Sequence, residues 1–222
     1  VAEAVAGDGK AGIDPALRSA LEDGCRQLGL ALADRQQQQL WDYLTLLAKW
    51  NRAYNLTAVR DPADMVRKHL LDSLAIAPLV DGQRLIDVGT GGGLPGVPLS
   101  IVYPEREIHL LDSNSKKTRF LFQVKTALGL DNMAVHHARV ESHQPAAPFE
   151  AVLSRAFASL QDMVAGCRHL LAPGGQFLAM KGQYPGAELE AVASVCDIRA
   201  VTQVSVPGLA QQRHLVAMTL RG

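Results

Sequence analysis

The chain has 222 residues, 48% of them hydrophobic, and 22 basic side chains balance 22 acidic ones to a net charge of zero. That length holds one domain with a buried core, and the charge balance excludes a uniformly basic surface, because bulk nucleic-acid affinity rests on neutralising phosphates. No apolar run approaches the roughly 20 residues of a membrane span. Three scattered cysteines, Cys25, Cys167 and Cys196, form neither CxxC nor zinc spacing and suit a reducing cytoplasm.

Residues 1–12, VAEAVAGDGKAG, lack the basic start and apolar centre of a signal peptide and read as a disordered lead-in. Residues 13–80 read as a helical region packed on the core. Asp14-Pro15 and Asp61-Pro62 each set an N-cap before a proline at the first helical position. Leu17, Leu21 and Leu28 share a face of the first helix. Leu40, Leu44 and Leu47 share one of a second that starts near Asp34, and Val66, Leu70 and Leu74 share one of a third. Asn51 and Asn55 cap and turn the WNRAYNLT segment that follows the second.

From residue 81 to 222 short strands alternate with helices. Strands are expected near 84–89, 107–112, 132–136, 149–154, 174–181, 198–205 and 213–220, and helices near 95–103, 115–129, 159–171 and 185–194. Repeated strand-then-helix order implies right-handed crossovers and a mainly parallel α/β sheet covered on both faces. Only a short segment containing Pro207-Gly208 joins the last two strands, too short for a parallel crossover, so the last strand should run antiparallel.

The stretch LIDVGTGGGLPG (85–96) raises the question of cofactor. A dinucleotide loop needs G-x-G-x-x-G directly after the strand. From Gly89 the last position is Leu94, which fails; from Gly91 the letters match, but two residues late and with Pro95 and Pro98 in the phosphate turn. The pattern D-x-G-x-G-x-G fits at every position, with Asp87, Gly89, Gly91 and Gly93. An acid beneath the loop suits S-adenosylmethionine, whose sulfonium and α-amino groups are cationic, and would repel a diphosphate. Asp112 ends the next strand, where a carboxylate can accept from both ribose hydroxyls of either cofactor. The expected fold is therefore a Rossmann-like class I S-adenosylmethionine-dependent methyltransferase sheet with an N-terminal helical extension.

For the methyl acceptor, absent motifs are informative. No N-P-P-Y-like or D-P-P-Y-like tetrapeptide follows the fourth strand, where SRAF (154–157) stands instead, and no cysteine has a Pro-Cys setting for attack on a pyrimidine carbon. A ring nitrogen with a free lone pair, such as guanine N7, needs neither proton abstraction nor a covalent intermediate, so positioning can carry the catalysis.

WNRAYNLTAVRD (50–61), KHLLDSL (68–74), DVGTGGGLPGVPL (87–99), LLDSNSKKTRFL (110–121), RVE (139–141), SRAFASL (154–160), KG (181–182) and RHLV (213–216) stand in one order. Together they resemble the bacterial glucose-inhibited division protein B family over about residues 30–219. The family's members methylate N7 of one guanine in 16S ribosomal RNA. The triplet Gly91-Gly92-Gly93 departs mildly from the family's loop, which commonly has a different small residue. The resemblance implies that Gly89, Gly91 and Leu94 line S-adenosylmethionine, with Asp112 near its ribose and Val140 and Glu141 bordering its adenine. It also sets Arg155 of SRAF at the cofactor and target-base end.

Lys116, Lys117, Arg119 and Lys125 lie close on one helix, a run that is ordinarily a solvated face. With Arg139 they are the basic candidates for RNA phosphates, and Arg67, Lys68 and His69, with Lys181 and Arg213 near the sheet edge, are weaker ones. His136 and His137 read as strand-end residues without a metal-ligand pattern. The chain is expected to act as a cytoplasmic monomer on 16S ribosomal RNA or the small subunit, without metal or membrane. A nicotinamide-dependent oxidoreductase and a non-catalytic cofactor-binding regulator are the alternatives.

Overall fold

In a computed structural model that describes residues 14–221, both predicted proline-led helices start on their capping acids. The Asp14 carboxylate accepts from the Ala16 amide at 2.9 Å and opens α1 (Pro15–Gln27). The disorder expected for residues 1–12 lies outside the described residues. Helix α2 (Asp34–Tyr54) buries Leu40, Leu44 and Leu47, and Asn55 closes it with a φ of 50°, a left-handed conformation that asparagine tolerates. The Asp61 carboxylate accepts from the Asp64 amide at 2.8 Å and opens α3 (Pro62–Met65).

The third helix differs from the regular one expected. After α3 the chain makes a six-residue π-helical turn, Val66–Leu71, before α4 (Asp72–Leu74). The wider turn leaves Val66, Leu70 and Leu74 buried and also turns His69 and Asp72 inward, at 5% and 4% exposure. Such turns are frequent at functional sites.

The sheet follows: β1 (Arg84–Val88), α5 (Gly96–Val102), β2 (Glu107–Asp112), α6 (Ser115–Leu128), β3 (Met133–His137), β4 (Phe149–Ser154), α7 (Leu160–Cys167), β5 (Leu171–Lys181), α8 (Gly186–Val192), β6 (Cys196–Gln203) and β7 (His214–Leu220). Ser159 caps α7 by accepting from the Asp162 amide at 3.0 Å while its hydroxyl donates to the Asp162 carboxylate at 2.7 Å. Strand order is β3-β2-β1-β4-β5-β7-β6. The last strand in the chain runs antiparallel, as expected, to both β5 and β6. It inserts between them, leaving β6 at the edge. Strand β5 begins three residues earlier than the expected 174–181, because Leu171 pairs with Phe149 across a register shift.

Side chains alternate between two cores. Leu85, Ile108 and Leu110 face Leu40, Leu44, Leu47, Val97 and Phe120, so the N-terminal helices share the core of α5 and α6. Ile86, Leu111 and Val152 face Leu160, Met163 and Cys167 on the other side. Each such leucine contributes about 1.5–3 kcal/mol by leaving water. All three cysteines are free and buried, and burial pushes Cys25 up to about 11 and Cys167 up to about 12, which leaves them unreactive. No helix among the described residues is long and apolar enough to cross a membrane.

A histidine stack lies on β2 and β3. His109 Nδ1 and His136 Nε2 are 2.7 Å apart, the His143 ring lies 4.6 Å from that of His136, and His109 Nε2 meets Glu107 Oε1 at 2.7 Å. Burial holds these imidazoles neutral and pushes His136 down to about 4. A histidine depressed from 6.5 to about 4 stabilises the fold above pH 6.5 and loses that contribution as pH falls through 4. Thermal melts of His136→Asn should therefore lose less stability than wild type between pH 6.5 and 4. Parallel pH profiles would contradict this account of the stack.

Candidate functional site

The parallel order reverses at β1, whose neighbours are β2 and β4, and the carboxyl ends of these strands form the crevice where ligands bind in open α/β sheets. The loop from β1 to α5 turns through Gly89, Gly91 and Gly93, at φ of 68°, 63° and 96°, a region that side-chain-bearing residues enter at a cost. Within the triplet that departs from the family's loop, Gly92 alone has an ordinary φ, and a Cβ there would meet a Leu47 methyl at 3.2 Å.

Asp87 is 1% exposed beneath this loop. Its Oδ2 accepts from Thr90 Oγ1 at 2.6 Å and from the Gly96 amide, the first of α5, at 2.9 Å. Its Oδ1 has no partner among the described residues. Burial outweighs the two hydrogen bonds and pushes the carboxyl up to about 6. Asp87 thus ties strand end to helix start. From the other side, the buried Tyr43 hydroxyl of α2 donates to the Gly92 carbonyl at 2.7 Å. Ser154 Oγ donates to the Val88 carbonyl at 2.7 Å and accepts from the Ala156 amide at 3.0 Å, which sets the SRAF turn against the glycine loop.

Three cavities run in a row along this edge. The first, about 320 Å³, is lined by Gly89, Asp112, Lys117, Arg139, Val140, Glu141, Ala156 and Phe157. Asp112, 7% exposed, accepts from the Asn114 amide through Oδ1 at 2.8 Å and from the Gly91 amide through Oδ2 at 2.9 Å. One lone pair on each oxygen stays available. The second cavity, about 210 Å³, is lined by Leu47, Gly89, Gly91, Leu94, Arg155 and Ala156. The third, about 500 Å³, is lined by Lys68, His69, Asp72, Arg155, Met180, Lys181 and Arg213. Gly89 and Ala156 join the first to the second, and Arg155 joins the second to the third.

The structure therefore brings Gly89, Gly91, Leu94, Asp112, Val140, Glu141 and Arg155 to one crevice. Asp87 lies under it and lines none of the three cavities. The basic candidates scatter. Lys116 and Arg119 stay exposed on α6, whereas Lys117 turns to Asp112 Oδ2 at 3.7 Å and joins Arg139 at the first cavity. Lys125 donates its ammonium to the Met133 carbonyl, Lys181 pairs with Glu188 at 2.8 Å, and Arg67 and Lys68 pair with Asp64 at 3.2 and 2.9 Å. His69 bonds Thr57 Oγ1 at 2.9 Å, and burial pushes it down to about 4, so it offers RNA no charge.

Sequence reading passed over Asp72. Its Oδ2 accepts from Arg155 Nη1 at 3.1 Å and its Oδ1 from Arg213 Nε at 2.7 Å. The available signal was an acid between Leu71 and Leu74 in a buried helical stretch, since a buried charge requires partners. Tyr43, hidden in an apolar stripe, gave none. Among the described residues, no group of three or more His, Cys, Asp or Glu side chains is arranged to hold a metal ion.

Two predictions follow from the loop's supports. A carboxyl raised from 3.8 to about 6 by folding stabilises below pH 3.8 and loses that contribution as pH rises through 6. The stability of wild type relative to Asp87→Asn, read by thermal or urea unfolding, should fall across that interval; a pH-independent difference would contradict the desolvated carboxylate. Tyr43→Phe should cost about 1–3 kcal/mol in urea unfolding, because it strips a buried carbonyl of its donor. A loss under a few tenths would mean that the bond does not brace the loop.

The chain is similar to known proteins in both sequence and shape. The family profile described as rRNA small subunit methyltransferase G matches residues 36–216. The chain is 50% identical over 206 residues to "Ribosomal RNA small subunit methyltransferase G" of Pseudomonas syringae pv. syringae, covering 93% of this chain and 96% of that protein. It is 54% identical to the protein of that name in Ectopseudomonas mendocina, covering 89% and 94%. In shape it is similar to the glycopeptide N-methyltransferase MtfA complexed with S-adenosyl-L-methionine, at TM-score 0.56, 15% identity, and 69% and 95% coverage. A TehB-like SAM-dependent methyltransferase from Corynebacterium glutamicum gives TM-score 0.51 at 13% identity, with 68% and 88% coverage. With four-fifths of its length matched by one profile and half its residues identical to those relatives, this chain belongs to the rRNA small subunit methyltransferase G family.

Proposed function

We propose that this chain is an S-adenosylmethionine-dependent methyltransferase that acts on N7 of a guanine in 16S ribosomal RNA, as a cytoplasmic monomer. The observation that carries the reading is the row of joined cavities, with the buried Asp112 carboxylate in the first and the arginines of the third, meeting at the glycine loop and Arg155. When bound, the cofactor supplies an electrophilic methyl group on a sulfonium.

The residues present fit that group. Asp112 keeps lone pairs for ribose hydroxyls, Val140 and Glu141 border the space for adenine, and Gly89, Gly91 and Leu94 leave room for the methionine half. Asp87, with one oxygen unpartnered, supplies negative potential beneath a cofactor that carries two cationic groups. The same carboxylate argues against a dinucleotide. It already accepts from the first amide of α5, the place where a pyrophosphate would bind.

The acceptor follows from the scarcity of proton acceptors. Asp72 is committed to two arginines, His69 is tied to Thr57, and Asp87 lies beneath the loop. Among the described residues that line the two cavities shared by Arg155, no carboxylate is without a partner and the one imidazole is bonded to Thr57, so an exocyclic amine is poorly served. A ring nitrogen needs no base. The protein's work is to exclude water and hold the purine in line, for which proximity supplies up to about 7–11 kcal/mol.

Methyl-labelled cofactor and small ribosomal subunits test this directly. Label should enter the 16S RNA, and borohydride–aniline treatment should cleave it at one guanine. Incorporation without cleavage would overturn the N7 assignment, and no incorporation into any ribosomal preparation would favour a regulator. Calorimetry should show S-adenosylhomocysteine binding and no NADH binding; Asp112→Ala should weaken the former about 10–100-fold, the loss of a charged hydrogen bond. Tight NADH binding would sink the proposal.

A further inference from the structure

Asp72 is the one carboxylate at the third cavity that meets two guanidiniums, and it reaches them from a different layer of the fold. It follows the π-helical turn of the N-terminal helices, whereas Arg155 follows β4 and Arg213 precedes β7. One oxygen serves each arginine, at 3.1 Å to Arg155 Nη1 and 2.7 Å to Arg213 Nε. The carboxylate side chain is 5% exposed, against 29% and 25% for the arginines. The pairing therefore lies on the protein side and the open side belongs to the guanidiniums.

Donors remain. Arg155 spends Nη1 on Asp72 and, at 3.5 Å, on the Lys68 carbonyl; Arg213 spends Nε on Asp72 and Nη1 on the Gln212 carbonyl. Arg155 Nε and Nη2 and Arg213 Nη2 make no hydrogen bond to the described residues. Of the other cations of this cavity, Lys181 pairs with Glu188, and Lys68 shares the Asp64 carboxylate with Arg67. The two guanidiniums exceed their one shared carboxylate in charge, so the open side of the cavity is positive and suits an anionic phosphodiester.

We infer that Asp72 is a positioning residue for the acceptor RNA: it holds Arg155 and Arg213 side by side so that their free N–H groups form one seat for a backbone phosphate next to the target base. This rests on the function proposed above. Without the shared carboxylate the two like charges would repel and swing apart, and the free Nε and Nη2 of Arg155 and Nη2 of Arg213 would no longer converge on one phosphate. A phosphate fixed here carries no sequence information but sets where its base falls relative to the central cavity.

The test is steady-state kinetics of the full chain on small subunits, across a range of salt concentrations. Asp72→Asn should raise KM for the subunit about tenfold or more, while kcat and S-adenosylhomocysteine affinity change less than twofold. The log–log salt slope of KM should shrink by about 0.7–0.9, the share of one phosphate contact. Arg213→Gln, which leaves Asp72 paired with Arg155, should do the same, and adding Asp72→Asn to it should raise KM less than twofold further. If Asp72→Asn does not fold, the Arg213→Gln slope still decides. An unchanged KM, a KM change with an unchanged salt slope, or fully multiplicative effects of the two substitutions would overturn the inference. Wild type that leaves subunits unmethylated would instead overturn the parent reading, so the two failures are separable.

Discussion

A carboxylate buried at the end of β1 governs the functional edge of this protein. Asp87 receives the Thr90 hydroxyl and the first amide of α5, so the loop between them must close tightly, and it can do so only through residues that accept positive φ. Once closed, the loop presents the Gly91 amide to Asp112 and thereby links the ends of β1 and β2. Ser154 adds the end of β4 from the opposite flank. Three strand ends are thus held at one place by short polar contacts, and the crevice lies between them. Burial makes the central carboxylate costly to ionise, a strain offset only in part by its two donors.

The helical layer is as much a part of the site as the sheet. Tyr43 holds the glycine loop from one side, and the π-helical turn delivers His69 and Asp72 to the other. These helices bury their leucines in the same core as α5 and α6, so their position is set by packing as well as by polar contacts. Such an arrangement suits a reaction that asks for orientation and gives little work to acids and bases. Among the described residues, the one carboxylate that lines the third cavity, Asp72, is already paired with two arginines. What stands at the open side is that pair of guanidiniums.

Much of this was legible in the residues, for identifiable reasons. Local hydrogen-bonding signals read well: the caps Asp14, Asp61 and Ser159 and the left-handed Asn55 behave as short-range rules require. The D-x-G-x-G-x-G spacing was readable because positive φ confines those positions to glycine, and the short Pro207-Gly208 connection disclosed an antiparallel strand. What failed depends on contacts distant in sequence. Lys117 and Lys125 look alike on α6, yet one meets Asp112 and the other a β3 carbonyl. Nothing local separates them. Asp72 was unreadable as a hub because its partners lie 83 and 141 residues away, and the π turn that aims it leaves the leucine periodicity intact. Asp87 was recognised by pattern as an acid beneath the loop, and burial sets it there.

We propose that S-adenosylmethionine lies along this edge in one orientation, with its nucleoside between Asp112 and Val140 and its sulfur facing the cavity of Arg155 and Asp72. A crystal structure of the protein with S-adenosylhomocysteine tests it most directly. Ribose hydroxyls are expected on the Asp112 carboxylate, adenine beside Val140 and Glu141, and the methionine half along Gly89 and Gly91. Adenine found instead in the cavity of Lys68 and Arg213, or a ligand seated on the Gly96 amide with Asp87 displaced, would contradict it.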